Sequence, residues 1–220
     1  MINPDKIIRS YRKTLSVSID CFGRITVRAP MRCSTERIFS FLTEKENWIL
    51  RKKAERTGAG TLLPNENLEG YTFSLLGKPC RITLTDKSRI AFDGEENVIY
   101  LPQKNAKERL VKWLKENAKR IFTQRTAYWA DIMQTRYRSV SVSSARSRWG
   151  SCTADNALRY TFRLLYADKS LIDYVVVHEL AHTKHKNHSP RFWAEVEKYV
   201  PDYKERRKRL KANGIFMQIF

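Results

Sequence analysis

Alternating hydrophobic and polar residues predict several short strands in the first hundred residues of the chain. Hydrophobic and polar side chains alternate in segments 15–19 and 25–27, as in strands with one buried face, and further strands are predicted at 71–75, 81–85, 89–92 and 98–101. Turn-forming residues such as Asp20-Cys21-Phe22-Gly23 separate these segments. One helical pattern interrupts them, beginning at Ser34 and ending at Gly58-Ala59-Gly60. We therefore expect a β-rich module with one inserted helix over residues 1–103.

The hydrophobic period becomes helical after residue 103. Hydrophobic residues three and four positions apart predict a long amphipathic helix from Asn105 to about Gln134. Two short strands are predicted next, near 139–143 and 158–164, on either side of an Arg-Trp-Gly segment. In that segment, we interpret Trp149 as a core residue and Gly150 as a position that permits close backbone approach.

A nearly continuous apolar run, Leu171 to Val177, predicts a buried helix that Asp168 or Ser170 would cap. A basic helix and the apolar tail 215–220 follow, and we expect both to pack back on the fold. The predicted fold class is α+β: a β-rich N-terminal module (1–103), then a domain (104–220) whose buried helix carries the candidate chemistry.

That chemistry is concentrated, because all four histidines of the chain lie within the window His178 to His188. Shuffling the composition produces the motif H-E-x-x-H with a probability of only roughly 0.005. On a helix, His178 and His182 lie one turn apart and about 40° apart around the axis, so both can bind one metal ion. Glu179 is rotated by about 100° from His178, where its carboxylate reaches a metal-bound water rather than the metal. This arrangement is typical of a zinc hydrolase helix.

The third metal ligand can be inferred from the distance over which histidines can share one metal ion. His178 and His185 would be separated by about 10.5 Å along a continuous helix, too far for one small ion. His188 can return to the site if the helix ends first, and Asn187 tolerates the left-handed conformation that ends helices. We therefore favour His188 over the rival ligands from the next helix, which are Glu195 and Glu197. His185 is left as a hydrogen-bond donor to a ligand, an oxyanion stabiliser or a solvated helix-end residue.

A set of motifs spans nearly the whole chain, namely Arg28-Ala29-Pro30, Trp48-Ile49, Ser147-Arg148-Trp149-Gly150-Ser151-Cys152, Asp173 to His182, Asn187-His188-Ser189 and Phe192-Trp193. In these motifs the sequence resembles the YgjP-like metallopeptidase family, which is related to the SprT-like and Wss-type zinc proteases. The resemblance implies a zincin-like catalytic domain with one zinc ion on His178, His182 and His188. It also implies that Glu179 is the catalytic base.

The expected reaction is hydrolysis of a peptide or similar amide bond by a zinc-activated water, with Glu179 moving the proton. A second oxyanion donor stays open among four candidates, which are His185, Tyr199, Tyr203 and Arg148. If substrate is added as an extra strand, the candidate segment carries Leu158, Tyr160 and Phe162. An ordinary core strand explains that segment equally well.

Charge and cysteine usage extend these expectations to partners and location. The chain has 42 Lys and Arg against 23 Asp and Glu, a net charge of +19. Such an excess is typical either of a solvated basic face or of contact with nucleic acid phosphates. The alternatives to a general peptidase are therefore a protease acting on DNA-bound or RNA-bound proteins and a non-catalytic, zinc-containing basic binding module. Four scattered cysteines, the lack of a signal sequence and the lack of a membrane-length apolar run favour a cytoplasmic protein without membrane contact.

Overall fold

The computed structural model describes residues 2–19, 24–57 and 68–213. Two compact units are present, Met1–Leu62 and Leu63–Phe220. The predicted turn at Asp20-Cys21-Phe22-Gly23, the predicted helix end at Gly58-Ala59-Gly60 and the apolar tail 215–220 lie outside the described residues.

The first unit is a small sheet with two helices. Its elements are β1 (Lys6–Ser10), β2 (Ser16–Ile19), β3 (Ile25–Pro30), α1 (Thr35–Glu44) and α2 (Glu46–Thr57). The predicted hairpin is confirmed, because β2 pairs antiparallel with β3, while β1 runs parallel to β3 on its other side. Ser34 caps α1 by accepting from the backbone N–H of Arg37 at 3.2 Å. Val27, Ala29, Ile38 and Ile49 are fully buried in the core of this unit.

The second unit begins with a four-stranded sheet in the order β4-β5-β7-β6. The strands are β4 (Thr72–Leu75), β5 (Lys78–Thr85), β6 (Ala91–Asp93) and β7 (Val98–Pro102). β7 contacts the long helix α3 (Ala106–Ile132), and β4 contacts a 3-10 helix, Phe162–Tyr166. The predicted domain division after residue 103 therefore falls inside a compact unit, because this sheet packs on elements from the second half of the chain.

A three-stranded sheet leads into the site, with β8 (Ser139–Ser143), β9 (Gly150–Cys152) and β10 (Ala157–Thr161) in the order β8-β10-β9. β10 is the central strand, parallel to β8 and antiparallel to β9. The expectation that Leu158, Tyr160 and Phe162 receive a substrate strand therefore needs correction. Both edges of β10 are paired, Leu158 and Tyr160 are fully buried, and Phe162 lies in the 3-10 helix. The alternative interpretation, a core strand, describes this segment.

Three helices complete the described part of this unit: α4 (Lys169–Lys184), α5 (Pro190–Tyr199) and α6 (Tyr203–Ala212). Asp168 caps α4, as predicted, by accepting from the N–H of Leu171 at 3.1 Å. Arg125 of α3 holds Asp173 of α4 through two hydrogen bonds of 2.7 and 2.8 Å. Both contacts fix the helix that carries the histidines. No helix in the described part of the chain combines the length and apolar character needed to span a membrane.

Candidate metal centre

Three of the four histidines converge on one point. His178 and His182 lie on the last two turns of α4, and His188 lies in the loop before α5. One ring nitrogen from each lies within 4.8 Å of the others, and the Nε2 atoms of His178 and His188 are 3.1 Å apart. Nitrogens on a tetrahedral zinc ion, each at its usual bond length, are separated by roughly 3.3 Å. The histidine cluster therefore has the spacing of a metal site.

The end of α4 brings His188 back toward the helix, although not in the way that the sequence predicted. We expected Asn187 to adopt the left-handed conformation, but it is not among the described residues with positive φ. Instead, the chain leaves the helix at His185, whose backbone is extended (φ −130°, ψ 101°). The prediction about Asn187 is wrong because an extended cap residue redirects the chain as effectively as a left-handed one.

His185 contributes through its backbone. Its carbonyl accepts a hydrogen bond from Nδ1 of His182 at 2.9 Å. A carbonyl can only accept, so Nδ1 carries the proton and the Nε2 lone pair of His182 is available to a metal. The imidazole of His185 is not part of the histidine cluster. Sequence reasoning missed this contact, because a backbone acceptor leaves no signature in residue type.

Aromatic packing surrounds the histidine cluster. The buried ring of Phe192 lies beneath all three imidazoles, with centroid distances of 4.8 Å to His178, 4.4 Å to His182 and 4.8 Å to His188. Trp193 stacks on His188 with centroids 5.6 Å apart. Nδ1 of His178 is buried without a hydrogen-bond partner among the described residues, so packing orients that ring. Phe192 and Trp193, which the sequence analysis uses only for the family resemblance, therefore form part of the site.

Burial favours the neutral form of two of the three imidazoles, those of His178 and His182. Burial, together with the neighbouring His182 and His188, lowers the pKa of His178 from 6.5 to about 3. Burial also lowers the pKa of His182. A neutral imidazole has the free lone pair that metal binding requires. The site is thus suited to a cation bound by nitrogen.

The side chain of Glu179 extends from α4 to Gly150 of β9. It is 5 % exposed, and burial raises the pKa of its carboxyl to about 8, while the positive charge of Arg148 opposes this shift. A Cβ atom added to Gly150 would lie 2.6 Å from Oε1 of Glu179 and 2.7 Å from its Cγ. The predicted close approach at Gly150 is thus confirmed, and its partner is the glutamate of the H-E-x-x-H motif.

The remaining candidates lie around this centre. Glu195 is bound to Lys184 at 2.6 Å, and neither it nor Glu197 belongs to the histidine cluster. Tyr203 is buried and stacks on Trp193 at 5.2 Å. Tyr199 lies under the ammonium of its neighbour Lys198. Of the four oxyanion candidates, Arg148 is the one whose charge acts on Glu179.

Lys186 anchors the loop that carries His188. Its ammonium donates to the carbonyl of Thr153 at 3.1 Å and to Oδ1 of Asn156 at 2.5 Å. Both acceptors belong to the turn between β9 and β10. Lys186 therefore connects the histidine loop to the strand that packs against Glu179.

Comparison with known proteins gives one match over most of the chain. A family model described as "YgjP-like, metallopeptidase domain" matches residues 13–213. None of the curated proteins compared with the chain matches it. Two solved structures are similar to it, both with TM-scores of 0.39. The metallopeptidase zymogen of Pyrococcus abyssi abylysin is 23% identical and covers 42% of this chain and 93% of its own. The zymogen of Methanocaldococcus jannaschii jannalysin is 18% identical and covers 42% and 95%.

Proposed function

The chain belongs to the YgjP-like metallopeptidase family, and we propose that it hydrolyses peptide bonds with one zinc ion held by His178, His182 and His188. The convergence of these three ring nitrogens beside Glu179 carries the proposal. Three imidazoles form a nitrogen-rich set that suits zinc better than magnesium or calcium. Three protein ligands also leave a fourth position open, as in catalytic zinc sites.

When bound, zinc would polarise the substrate carbonyl and lower the pKa of a water molecule. The protein contributes the rest of the chemistry. Glu179 accepts the proton of the attacking water and delivers it to the leaving nitrogen. Its carboxyl group is suited to both steps because it is buried beside β9, while Arg148 favours its charged form.

The peptide substrate would lie along β9 rather than β10. Trp149 and Thr153 bond to β10, since the Trp149 carbonyl accepts from Thr161 at 2.9 Å and the Thr153 N–H donates to Ala157 at 3.0 Å. Backbone groups alternate in direction along a strand, so those of Gly150 and Cys152 face away from β10. Within the described residues, β9 is an edge strand at this side. A substrate strand paired there would pass directly beside Glu179.

The base can be tested with the variant Glu179→Gln and a mixture of unstructured peptides. We expect the variant to bind zinc as the wild type does and to lose cleavage, because an amide cannot accept the proton. Cleavage is measured by mass spectrometry after zinc loading. Retained cleavage in Glu179→Gln would remove Glu179 as the base.

The third ligand is tested separately by comparing two alanine variants. His188→Ala should lose tightly bound zinc, whereas Glu195→Ala should retain it because Glu195 pairs with Lys184. The zinc content of each variant is measured after dialysis. The opposite result would assign the third ligand to Glu195.

A nucleic-acid-associated protease is the second candidate function. A cavity of ≈ 330 Å³ borders β9, and its lining includes Arg148 and Arg159 together with Ser143, Ser147 and Ser151. Together with the net charge of +19, this basic cavity favours phosphate contacts close to the site. DNA should then stimulate cleavage in a salt-sensitive manner, and unchanged cleavage with DNA would contradict this function.

The free thiols of Cys33, Cys80 and Cys152 fit the proposed cytoplasmic location.

A further inference from the structure

A second cavity, of ≈ 400 Å³, opens beside His178 and Glu179. It lies between α4, α6 and the start of β9. Apolar walls come from Tyr174, Val175 and Leu210, and the cations of α6 that line it are Arg207 and Lys211. Its volume lies within the range of small-ligand pockets, about 300–1,000 Å³. The cavity can therefore accept a large side chain next to the reacting groups.

Helical spacing explains why both cations face the cavity. Arg207, Leu210 and Lys211 are three and four positions apart, so they share one face of α6. Two other arginines of α6 fix the orientation of the helix. Arg206 donates to the carbonyl of Ser170 at 2.9 Å, and Arg209 binds Asp168 at 2.5 Å. The start of α4 thus holds α6 with its cationic and apolar face toward the cavity.

The two cations that line the cavity lack a carboxylate partner within the described part of the chain. Arg207 lies over the ring of Trp193, with its guanidinium carbon 5.0 Å from the ring centroid. This contact leaves its hydrogen-bond donors available, since a cation–π contact uses only the face of the guanidinium group. Arg206 and Arg209, by contrast, each have an acidic partner. Among the described lining residues, Glu179 is the one with a carboxylate. The proposed function uses that carboxylate as the base.

We propose that this cavity binds a substrate residue that carries a carboxylate, with Arg207 and Lys211 pairing the negative charge. The proposal rests on the peptidase function proposed above. In a peptide, the anionic groups are the side chains of Asp and Glu and the C-terminal carboxylate. All of them share the chemistry that the two cations recognise. The apolar walls would contact the methylene groups between the backbone and the charge.

The proposal is tested with a matched set of peptides and three variants of α6. One peptide pair differs only by Glu or Gln at a single position beside the cleaved bond, and a second pair has a free or amidated C-terminus. Arg207→Leu and Lys211→Leu each remove one cation from the cavity. Lys208→Leu removes the same charge from an exposed position of α6 that does not line the cavity, and it is the control.

The readout is the ratio of kcat/KM within each peptide pair, because a general loss of activity cancels in the ratio. For wild type, we expect a preference of about tenfold for the charged member of at least one pair. The pair that shows it identifies the source of the carboxylate. The preference should fall toward one in Arg207→Leu and Lys211→Leu, persist in Lys208→Leu and weaken at high ionic strength.

Failure of this proposal is distinguishable from failure of the proposed function. Wild-type cleavage with equal kcat/KM within both pairs would overturn the carboxylate proposal and leave the peptidase function intact. A preference that survives in both Arg207→Leu and Lys211→Leu would also overturn it. If zinc-loaded protein cleaves no peptide, the proposed function fails. In that case, the Kd of each peptide for the Glu179→Gln protein is measured by fluorescence anisotropy. Equal Kd values within both pairs would overturn the carboxylate proposal.

Discussion

Gly150→Ala is the substitution that most directly perturbs Glu179, the proposed base, without changing a proposed metal ligand. The added Cβ atom would lie 2.6 Å from Oε1 of Glu179, whereas ordinary contacts begin at 3.4 Å, so the oxygen must retreat by about 0.8 Å. A misplacement of about 1 Å in a catalytic group costs roughly 100-fold in rate. We therefore expect kcat/KM to fall about 100-fold. The fold should persist, because the displaced atoms, Oε1, Cγ and Cδ, all belong to one side chain and not to the backbone.

Peptide cleavage and zinc content are measured together in this test. Gly94→Ala is the matched control, because the nearest atom to its added Cβ would be Phe92 Cε1 at 3.8 Å, an ordinary contact. In the Glu179→Gln background, Gly150→Ala should cause no further loss, since both changes act on the same group. If Gly150→Ala cleaves as fast as Gly94→Ala, the close approach of β9 does not position the base.

Three further substitutions test the surroundings of the site and the core. Lys186→Met frees the loop of His188, so the Kd for zinc, measured by chelator competition, should rise about 10- to 100-fold, whereas exposed Lys198→Met should leave it unchanged. Phe192→Ala removes the ring beneath the three imidazoles and should lower the free energy of unfolding by about 3 to 5 kcal/mol in urea titrations; a loss below about 1 kcal/mol would contradict its packing role. Burial raises the pKa of Cys80 from 9.0 to about 11, so only the unfolded thiol ionises between these values, and stability should fall as the pH rises through them. The free energy of unfolding of Cys80→Ala should fall less over that range, and an identical fall would contradict this contribution.

Local geometry explains what could be predicted from the sequence. The i, i+4 spacing placed His178 and His182 together, because a helix fixes their separation whatever surrounds it. The distance along the helix excludes His185 from a shared ion and favours His188, which lies with His178 and His182 in the histidine cluster. The prediction of close approach at Gly150 is also confirmed, since a residue without a side chain leaves room for the carboxyl group of Glu179.

Long-range pairing explains what could not be predicted. Alternation marks β10 as a strand, but its central position depends on β8 and β9, which local patterns do not order. The contacts of His182 with the carbonyl of His185 and of Lys186 with the carbonyl of Thr153 use backbone acceptors, which any residue type can supply. Likewise, the division between compact units depends on the packing of β4 on the 3-10 helix Phe162–Tyr166, a contact between segments distant in sequence.

Anomalous X-ray diffraction at the zinc edge, on crystals of protein loaded with zinc, tests the central claim most directly. We predict one strong peak per chain, at about 2.0–2.1 Å from a ring nitrogen of each of His178, His182 and His188. Glu179 should lie outside bonding distance, beside Gly150. No peak at the histidine cluster, or a peak bound by Glu195 in place of His188, would contradict the account.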